Sequence, residues 1–282
     1  MDIIRENKIA FQGVQGAYSE MALLQYFGNN AQGVGFELSE QVCEEVERGK
    51  VSFGLLPVEN SIAGNVAINL DLLNQKDFYV VGETYLPINH CLLALPGVEI
   101  GNIKHVYSHP IALAQCREYI NEKGFKGLHA FDTAGSAKIL SERQLPFPFE
   151  TAVIASSLCS TYYNLNILDK DIQTVQNNIT RFFIFVNLDN AELNPLADKM
   201  SLAFVTKHRP GALLSCLQNF ADHSINLTKL VSRPIPDDPF KYTFFVDING
   251  SPNEENVKNC LKKMKDDVQK LKVIGAYPRY AD

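Results

Sequence analysis

The residues of this 282-residue chain best suited to chemistry lie in Asn177-Asn178-Ile179-Thr180-Arg181-Phe182-Phe183, where a polar Asn-x-Thr-Arg group runs directly into the apolar stretch FFIFV. A strand entering a core does not begin with a charge unless something binds that charge. One reading is an arginine that grips a carboxylate with its two-pronged guanidinium while the threonine hydroxyl is aimed at a reacting atom. The other is a surface arginine at a strand start, with Thr180 in an ordinary β-favouring position. The residues alone leave both open. Four further segments set polar residues and glycines where a strand gives way to a helix: Gly13-Val14-Gln15-Gly16 with Ser19; Pro57-Val58-Glu59-Asn60-Ser61 with Gly64 and Asn65; Ser108-His109-Pro110; and Asp132-Thr133-Ala134-Gly135-Ser136. Helix starts offer free N–H groups and a positive dipole end, so several that converge can hold an anion without net positive charge. Taken singly, each reads as a plain cap.

Other chemistries lack their signatures. Gly13-x-x-Gly16 has neither the third glycine nor the spacing of a dinucleotide fingerprint, and no GKS or GKT occurs. No Gly-x-Ser-x-Gly elbow supports a serine hydrolase. His105 and His109 have the i, i+4 spacing of a metal pair, but HVYSHP reads as a strand closed by Pro110, and no nearby pattern offers further ligands. Neither a metal nor a cofactor is expected.

The elements that must position these residues alternate between strand and helix. Strands are expected at Lys8–Gln12, Phe53–Pro57, Lys104–Ser108 and Ala152–Ala155, with helices from about Tyr18, Val66 and Ile111 and another after Ala155. This is the rhythm of mainly parallel sheets. Tyr79–Leu95 holds two apolar runs parted by Pro87 and reads as a crossover between two sheets, with a return near Ile172–Val186. Two lobes joined by two crossings make a cleft. The last segment reads strand, helix, strand, strand, helix, strand: Met200–Thr206, Gly211–His223, Ile225–Arg233, Phe240–Ile248, a helix opened by Ser251-Pro252-Asn253, and Val273–Tyr277. The apolar stripe of the second helix is Val257, Cys260, Leu261, Met264, Val268 and Leu271, and PIPDDP turns the middle strands. A βαββαβ order folds into a four-stranded antiparallel sheet with both helices on one face.

With 46% hydrophobic residues the chain can bury a sizeable core. The 26 basic and 32 acidic residues give a net charge of -6 without long single-sign blocks, which argues against nucleic-acid and membrane partners. Charges interrupt the apolar N-terminal stretch, so neither a signal peptide nor a spanning helix is expected and the chain reads as cytoplasmic. The six cysteines are scattered without a CxxC pair and read as buried, reduced thiols.

Taken together, FQGVQGAYSEMA (11–22), PVENSIAGNV (57–66), LPINHCLLA (86–94), SHPIALAQC (108–116), DTAGSA (132–137), NITRFF (178–183), GALLSCLQNFA (211–221) and INLTKLVSRP (225–234) resemble prephenate dehydratase over nearly the whole chain. The resemblance implies an α/β two-lobed catalytic region, similar to periplasmic binding proteins of type II, over 1–188. Its lobes would be about 8–80 plus 178–188, and 81–177. A linker at 189–199 would lead to an α+β ferredoxin-like ACT domain at 200–278 that binds L-phenylalanine as feedback inhibitor. The implied reaction converts prephenate to phenylpyruvate in phenylalanine biosynthesis, without a cofactor, in a homodimer or homotetramer. Arogenate dehydratase and a non-catalytic amino-acid sensor are the alternatives.

By motif position the resemblance assigns Thr180 to assisting the leaving group and Arg181 to binding a carboxylate or holding the loop. Glu59 orients donors, Asn60, Ser61, Asn65, Ser108, Thr133 and Ser136 line the cleft with Gly16 and Ser19, and Phe182 packs. Gly211, Ala212, Leu213 and Leu214 with Ser232, Arg233 and Pro234 form the implied effector site. The chain departs from the family pattern at Val14, Ala17 and Glu20, and at Val231, which stands where a glutamate is usual.

Overall fold

The computed structural model describes residues 8–235 and 238–280, in two compact units. The first comprises residues 8–45, 50–65 and 85–182; the second comprises 46–49, 66–84 and 183–280. In chain order the elements are β1 (Lys8–Gln12), α1 (Tyr18–Phe27), β2 (Gln32–Phe36), α2 (Ser39–Glu47), β3 (Phe53–Asn60), β4 (Gly64–Asn65), α3 (Ala67–Gln75), β5 (Phe78–Pro87), β6 (Cys91–Ala94), β7 (His105–Ser108), α4 (Pro110–Gln115), α5 (Arg117–Glu122), β8 (Lys126–His129), α6 (Thr133–Ser141), β9 (Thr151–Ala155), α7 (Leu158–Tyr163), β10 (Asn166–Asp169), β11 (Ile179–Asn187), β12 (Lys199–Thr206), α8 (Ala212–Asp222), β13 (Leu227–Ile235), β14 (Asp238–Asn249), α9 (Glu255–Asp267) and β15 (Val268–Tyr277).

The first unit has two lobes, each built on a sheet. In one, β1 lies between β2 and β3, parallel to both. Its Ile9, Ala10 and Phe11 are all buried, the continuous apolar run expected of a strand covered on both faces. In the other, the order is β10-β6-β9-β7-β8; β9, β7 and β8 run parallel, β6 is antiparallel to β9, and β10 is antiparallel to β6. Thr151 through Ala155 are fully buried at its centre, beneath Ala134, Ala137 and Leu140 of α6. The sheets are therefore mixed.

Where the chain crosses between these lobes, its two passages hold each other. Ile88 N donates to Asn178 O at 2.7 Å, His90 N to Gln173 Oε1 at 2.9 Å and Ile172 N to His90 O at 3.2 Å. Glycine is needed where the lobes touch: Gly16 has φ +89°, and a Cβ there would come within 2.7 Å of Cys159 Sγ.

The second unit contains the βαββαβ segment, with strand order β13-β14-β12-β15 and every neighbour antiparallel. Met200, Leu202 and Phe204 alternate along β12 and share one apolar core with Cys216 and Phe220 of α8 and Val257, Cys260 and Met264 of α9. The stripe expected to carry the last helix through Val268 and Leu271 ends earlier. α9 stops at Asp267, Val268 is already extended, and both residues belong to β15. Neither glycine nor proline marks that junction, so the helical and strand periods merge in the sequence. The turn expected from PIPDDP lies partly outside the described residues.

On its far side β15 meets β5 in parallel, with Gly275 opposite Val80. A Cβ at 275 would sit 2.2 Å from Val80 O, a backbone atom that cannot step aside. Gly275→Ala is therefore expected to destabilise the fold by about 1–3 kcal/mol, as overpacked cores do. Urea unfolding checks this, and an unchanged midpoint would show that the strands part without strain.

Candidate functional site

Asn60, the last residue of β3, organises the best-defined polar cluster. Its Oδ1 accepts from Ile62 N at 3.0 Å and Ala63 N at 2.8 Å, an Asx turn that settles which way the carboxamide faces. Its Nδ2 then donates to Thr180 Oγ at 2.9 Å and to Asn178 Oδ1 at 2.7 Å, with Ile179 O at 3.3 Å. Because Thr180 Oγ accepts from Asn60, its own proton is left to donate elsewhere. Polarised by the amide, that hydroxyl is the better donor for it. Ser61 ties the two segments together: its N–H donates to Ile179 O, its hydroxyl donates to Asn177 O, and Ile179 N donates to Ser61 Oγ, each at 2.9 Å. Ser61 thus serves as a strap, and beside it lies Asn178, 1% exposed, which the sequence reading included in its polar group but gave no role.

Arg181 follows Thr180 along β11, and successive strand residues face opposite sides. Its guanidinium stands 3.5 Å from Glu59 Oε2 and over the Tyr85 ring, with the side chain 4% exposed. The two residues therefore cannot reach the same atoms of one ligand from one face. Of the two roles implied for Arg181, this geometry serves the holding of the loop. Glu59 is its counter-ion, and Phe182 is buried in the core. Asn65 is exposed on β4, paired with Glu59 across the short hairpin.

Other expected lining residues turn inward. Ser108 is fully buried and donates to Ile154 O at 2.6 Å; Ser136 donates to Thr133 O at 2.6 Å on the first turn of α6, which Asp132 caps through Gly135 N. His109 caps α4 by accepting from Ile111 N. Gly16 donates to Glu20 Oε2 at 2.6 Å, while its carbonyl accepts from Ser156 Oγ at 2.5 Å and Cys159 Sγ at 3.3 Å. Glu20 thus closes its own turn, and Ser19 is buried on α1. Of these, Gly16 joins the two lobes, while Ser108, Ser136 and His109 bond within their own. Thr180 is bonded to Asn60 instead.

A second polar chain escaped the sequence reading because its members are far apart in sequence. His90, 2% exposed, has Nδ1 2.8 Å from the Tyr18 hydroxyl and Nε2 2.8 Å from Gln115 Oε1. A neutral ring with its proton on Nε2 donates to Gln115 and leaves Nδ1 as an acceptor for the Tyr18 hydroxyl, whose single proton is shared between that nitrogen and Asn89 O, 2.9 Å away. Burial pushes His90 below its ordinary pKa, against the opposing pull of the Gln115 hydrogen bond, and burial raises the Tyr18 phenol well above its own. The chain links α1, the first crossing and α4. All six cysteines are buried and free, and burial pushes Cys116 and Cys159 up to about 12, so these thiols are inert. Among the described residues no cluster of three His, Cys, Asp or Glu could hold a metal ion, and no helix is long and apolar enough to cross a membrane.

In the second unit Gly211, Ala212, Leu213 and Leu214 line a cavity of about 660 Å³ with Lys207, Arg209, Lys241 and Tyr242. Ser232, Arg233 and Pro234 do not line it. Arg233 instead pairs with Asp71 of α3, Nη2 to Oδ2 at 2.7 Å, and Lys272 donates to Leu73 O and Asn74 O at the end of the same helix.

A family model described as prephenate dehydratase matches residues 9–190. The chain is similar to a bifunctional chorismate mutase/prephenate dehydratase of Aquifex aeolicus, 36% identical over 99% of this chain and 75% of the relative. It is also similar to arogenate dehydratase/prephenate dehydratase 2, chloroplastic, of Arabidopsis thaliana, 37% identical over 96% of this chain and 72% of the relative. A solved prephenate dehydratase of Arthrobacter aurescens in complex with L-Phe superposes with a TM-score of 0.86 at 28% identity, covering 96% of this chain and 90% of the other. A solved protein described as a novel type of quorum quenching acylase superposes at 0.88 with 31% identity, covering 97% and 98%.

The buried imidazole gives a pH test. With its folded pKa held below 6.5, His90 is neutral in the fold, whereas the unfolded chain takes up a proton as the pH falls through 6.5. Its contribution is complete above 6.5 and is lost as the pH drops towards the depressed folded value, by up to about 1.4 kcal/mol per pH unit. Urea midpoints of wild type and His90→Gln should therefore converge as the pH is lowered. Parallel pH profiles would show that His90 does not titrate differently in the two states.

Proposed function

The chain belongs to the prephenate dehydratase family, and from that premise we propose that Thr180, oriented by Asn60, assists departure of the ring hydroxyl as prephenate becomes phenylpyruvate. In this reaction the bond from the ring to its carboxylate breaks and CO₂ leaves. The electron pair moves into the ring, which becomes aromatic, and the ring C–O bond breaks with the pair going to oxygen. That oxygen must gain a proton to leave as water. The observation that carries the proposal is the Asn60 Nδ2 to Thr180 Oγ hydrogen bond, which leaves the threonine proton directed away from Asn60. A threonine hydroxyl is a very weak acid, so it acts as a hydrogen-bond donor or as a relay that regains its proton in the same step.

The βαββαβ segment at 200–278 is read as an ACT domain that senses L-phenylalanine. Support comes from its strand order, from the cavity lined by Gly211–Leu214 and from the L-Phe complex of the Arthrobacter relative. Arg233 and Lys272 grip α3, the helix that follows Asn60 and Asn65 directly in sequence, so displacement of the sensing sheet has a short route to the catalytic loop. In this reading the protein is a cytoplasmic homo-oligomer, with the edge strand β13 available for pairing between copies.

Purified protein given prephenate should form phenylpyruvate, and arogenate given separately tests for phenylalanine formation. Thr180→Ala should lower kcat about 10²–10⁴-fold, the usual worth of a positioned proton donor, and Thr180→Ser should retain most of it. Turnover of neither substrate, or full activity in Thr180→Ala, would overturn the assignment. Saturating phenylalanine should lower turnover, with a coupling free energy of about 1–3 kcal/mol. Asp71→Asn should weaken inhibition while phenylalanine still binds by calorimetry. Inhibition unchanged in that variant would remove α3 from the route.

A further inference from the structure

Asn178 has a group that the cluster does not use. Its Oδ1 accepts from Asn60 Nδ2 at 2.7 Å, but its own Nδ2, buried in a residue 1% exposed, donates to no acceptor among the described residues. A reversed carboxamide would not relieve this: it would set Asn178 Nδ2 against Asn60 Nδ2, donor against donor, and Asn60 is itself fixed by Ile62 N and Ala63 N. Two N–H bonds are therefore held ready at a known orientation, and buried donors are almost always paired in a working protein.

Their place follows from Asn60. Asn178 immediately precedes β11, Thr180 is the second residue of that strand, and Asn60 Nδ2 donates to the side-chain oxygens of both, which brings the two side chains together. Beside that nitrogen Thr180 has one proton to give and Asn178 has two. We infer that Asn178 is a catalytic residue whose Nδ2–H donates, beside the Thr180 hydroxyl, to the departing ring oxygen. This rests on the dehydratase reading. Two donors converging on one oxygen form a cradle for the charge that develops there as the C–O bond breaks. Removing one such donor from other enzymes lowers kcat about 10²–10³-fold. The ring carboxylate is a less suitable partner, since it lies at the opposite end of the ring from the hydroxyl that Thr180 addresses.

Asn178→Asp separates this role from a structural one. The aspartate keeps an oxygen for Asn60 to donate to, while the N–H donors become a carboxylate oxygen that repels the departing one. At neutral pH kcat should fall about 10²–10³-fold with KM within about threefold of wild type. The ratio of variant to wild-type kcat should rise as the pH is lowered and the new carboxyl regains an O–H donor. A kcat ratio within about threefold of one, a loss confined to KM, or a loss whose ratio is flat with pH overturns the inference. If the aspartate variant fails to fold, Asn178→Ala decides: saturable recovery of kcat by added formamide supports the donor role, and no recovery overturns it. A wild type that turns over neither prephenate nor arogenate sinks the dehydratase reading and this inference with it. A competent wild type matched by Asn178→Asp sinks this inference alone.

Discussion

The carboxamide of Asn60 is the constraint on which the polar site depends. A primary amide has one acceptor end and one donor end, and here the loop decides which faces where. Ile62 and Ala63 give their N–H groups to Oδ1, so Nδ2 must face β11, where it meets Thr180 and Asn178. An isolated threonine hydroxyl can rotate and can donate or accept. One that already accepts has a single course left for its proton. The direction left to the Thr180 proton is thus set by a turn 120 residues earlier, and the Ser61 strap and the Arg181–Glu59 pair hold that turn against β11.

The crossings between lobes follow the same economy of neutral groups. His90 is kept uncharged by burial and spans from Tyr18 to Gln115, while Gly16 O receives the Ser156 hydroxyl and the Cys159 thiol. Neutral hydrogen bonds cost little desolvation compared with ion pairs in equally buried positions. Glu20 is the exception at this clasp, its carboxyl accepting from Gly16 N and from the Tyr162 hydroxyl.

Much of the frame was legible in the sequence, for physical reasons that differ by element. β1 and β9 are continuous apolar runs, and α1 and α4 begin behind a glycine turn and a proline. β2 and α2 passed unnoticed because β2, with two glycines in five residues, is half exposed and has almost no apolar signal. The α9–β15 junction misled because a charged helix runs into a strand without a breaker. At the site, Thr180, Asn60, Ser61 and Glu59 do come together. Reading Thr180 and Arg181 as partners on one ligand overlooked that a strand alternates its faces. The Tyr18–His90–Gln115 chain had no local signature at all, since its members are brought together only by the fold. Arg233, expected beside Gly211–Leu214, is instead committed to Asp71.

The site also shows how an acidic protein with a net charge of -6 can work on an anion. In the cluster proposed to face the reaction, the groups are amides and a hydroxyl, while the nearby guanidinium of Arg181 meets the carboxylate of Glu59 on the other side of the strand. A free cation on the ring carboxylate would hold it in the ground state, and because that carboxylate, unlike the one on the side chain, loses its charge as CO₂ departs, such binding would weaken on the way to the transition state. Interactions of that kind lower KM and leave the barrier higher. Fixed dipoles aimed at the departing oxygen act in the opposite sense, gaining strength as charge arrives there. Placing neutral donors on the reacting face and neutralising the arginine behind it therefore favours the end of the substrate where charge is created over the end where it is lost.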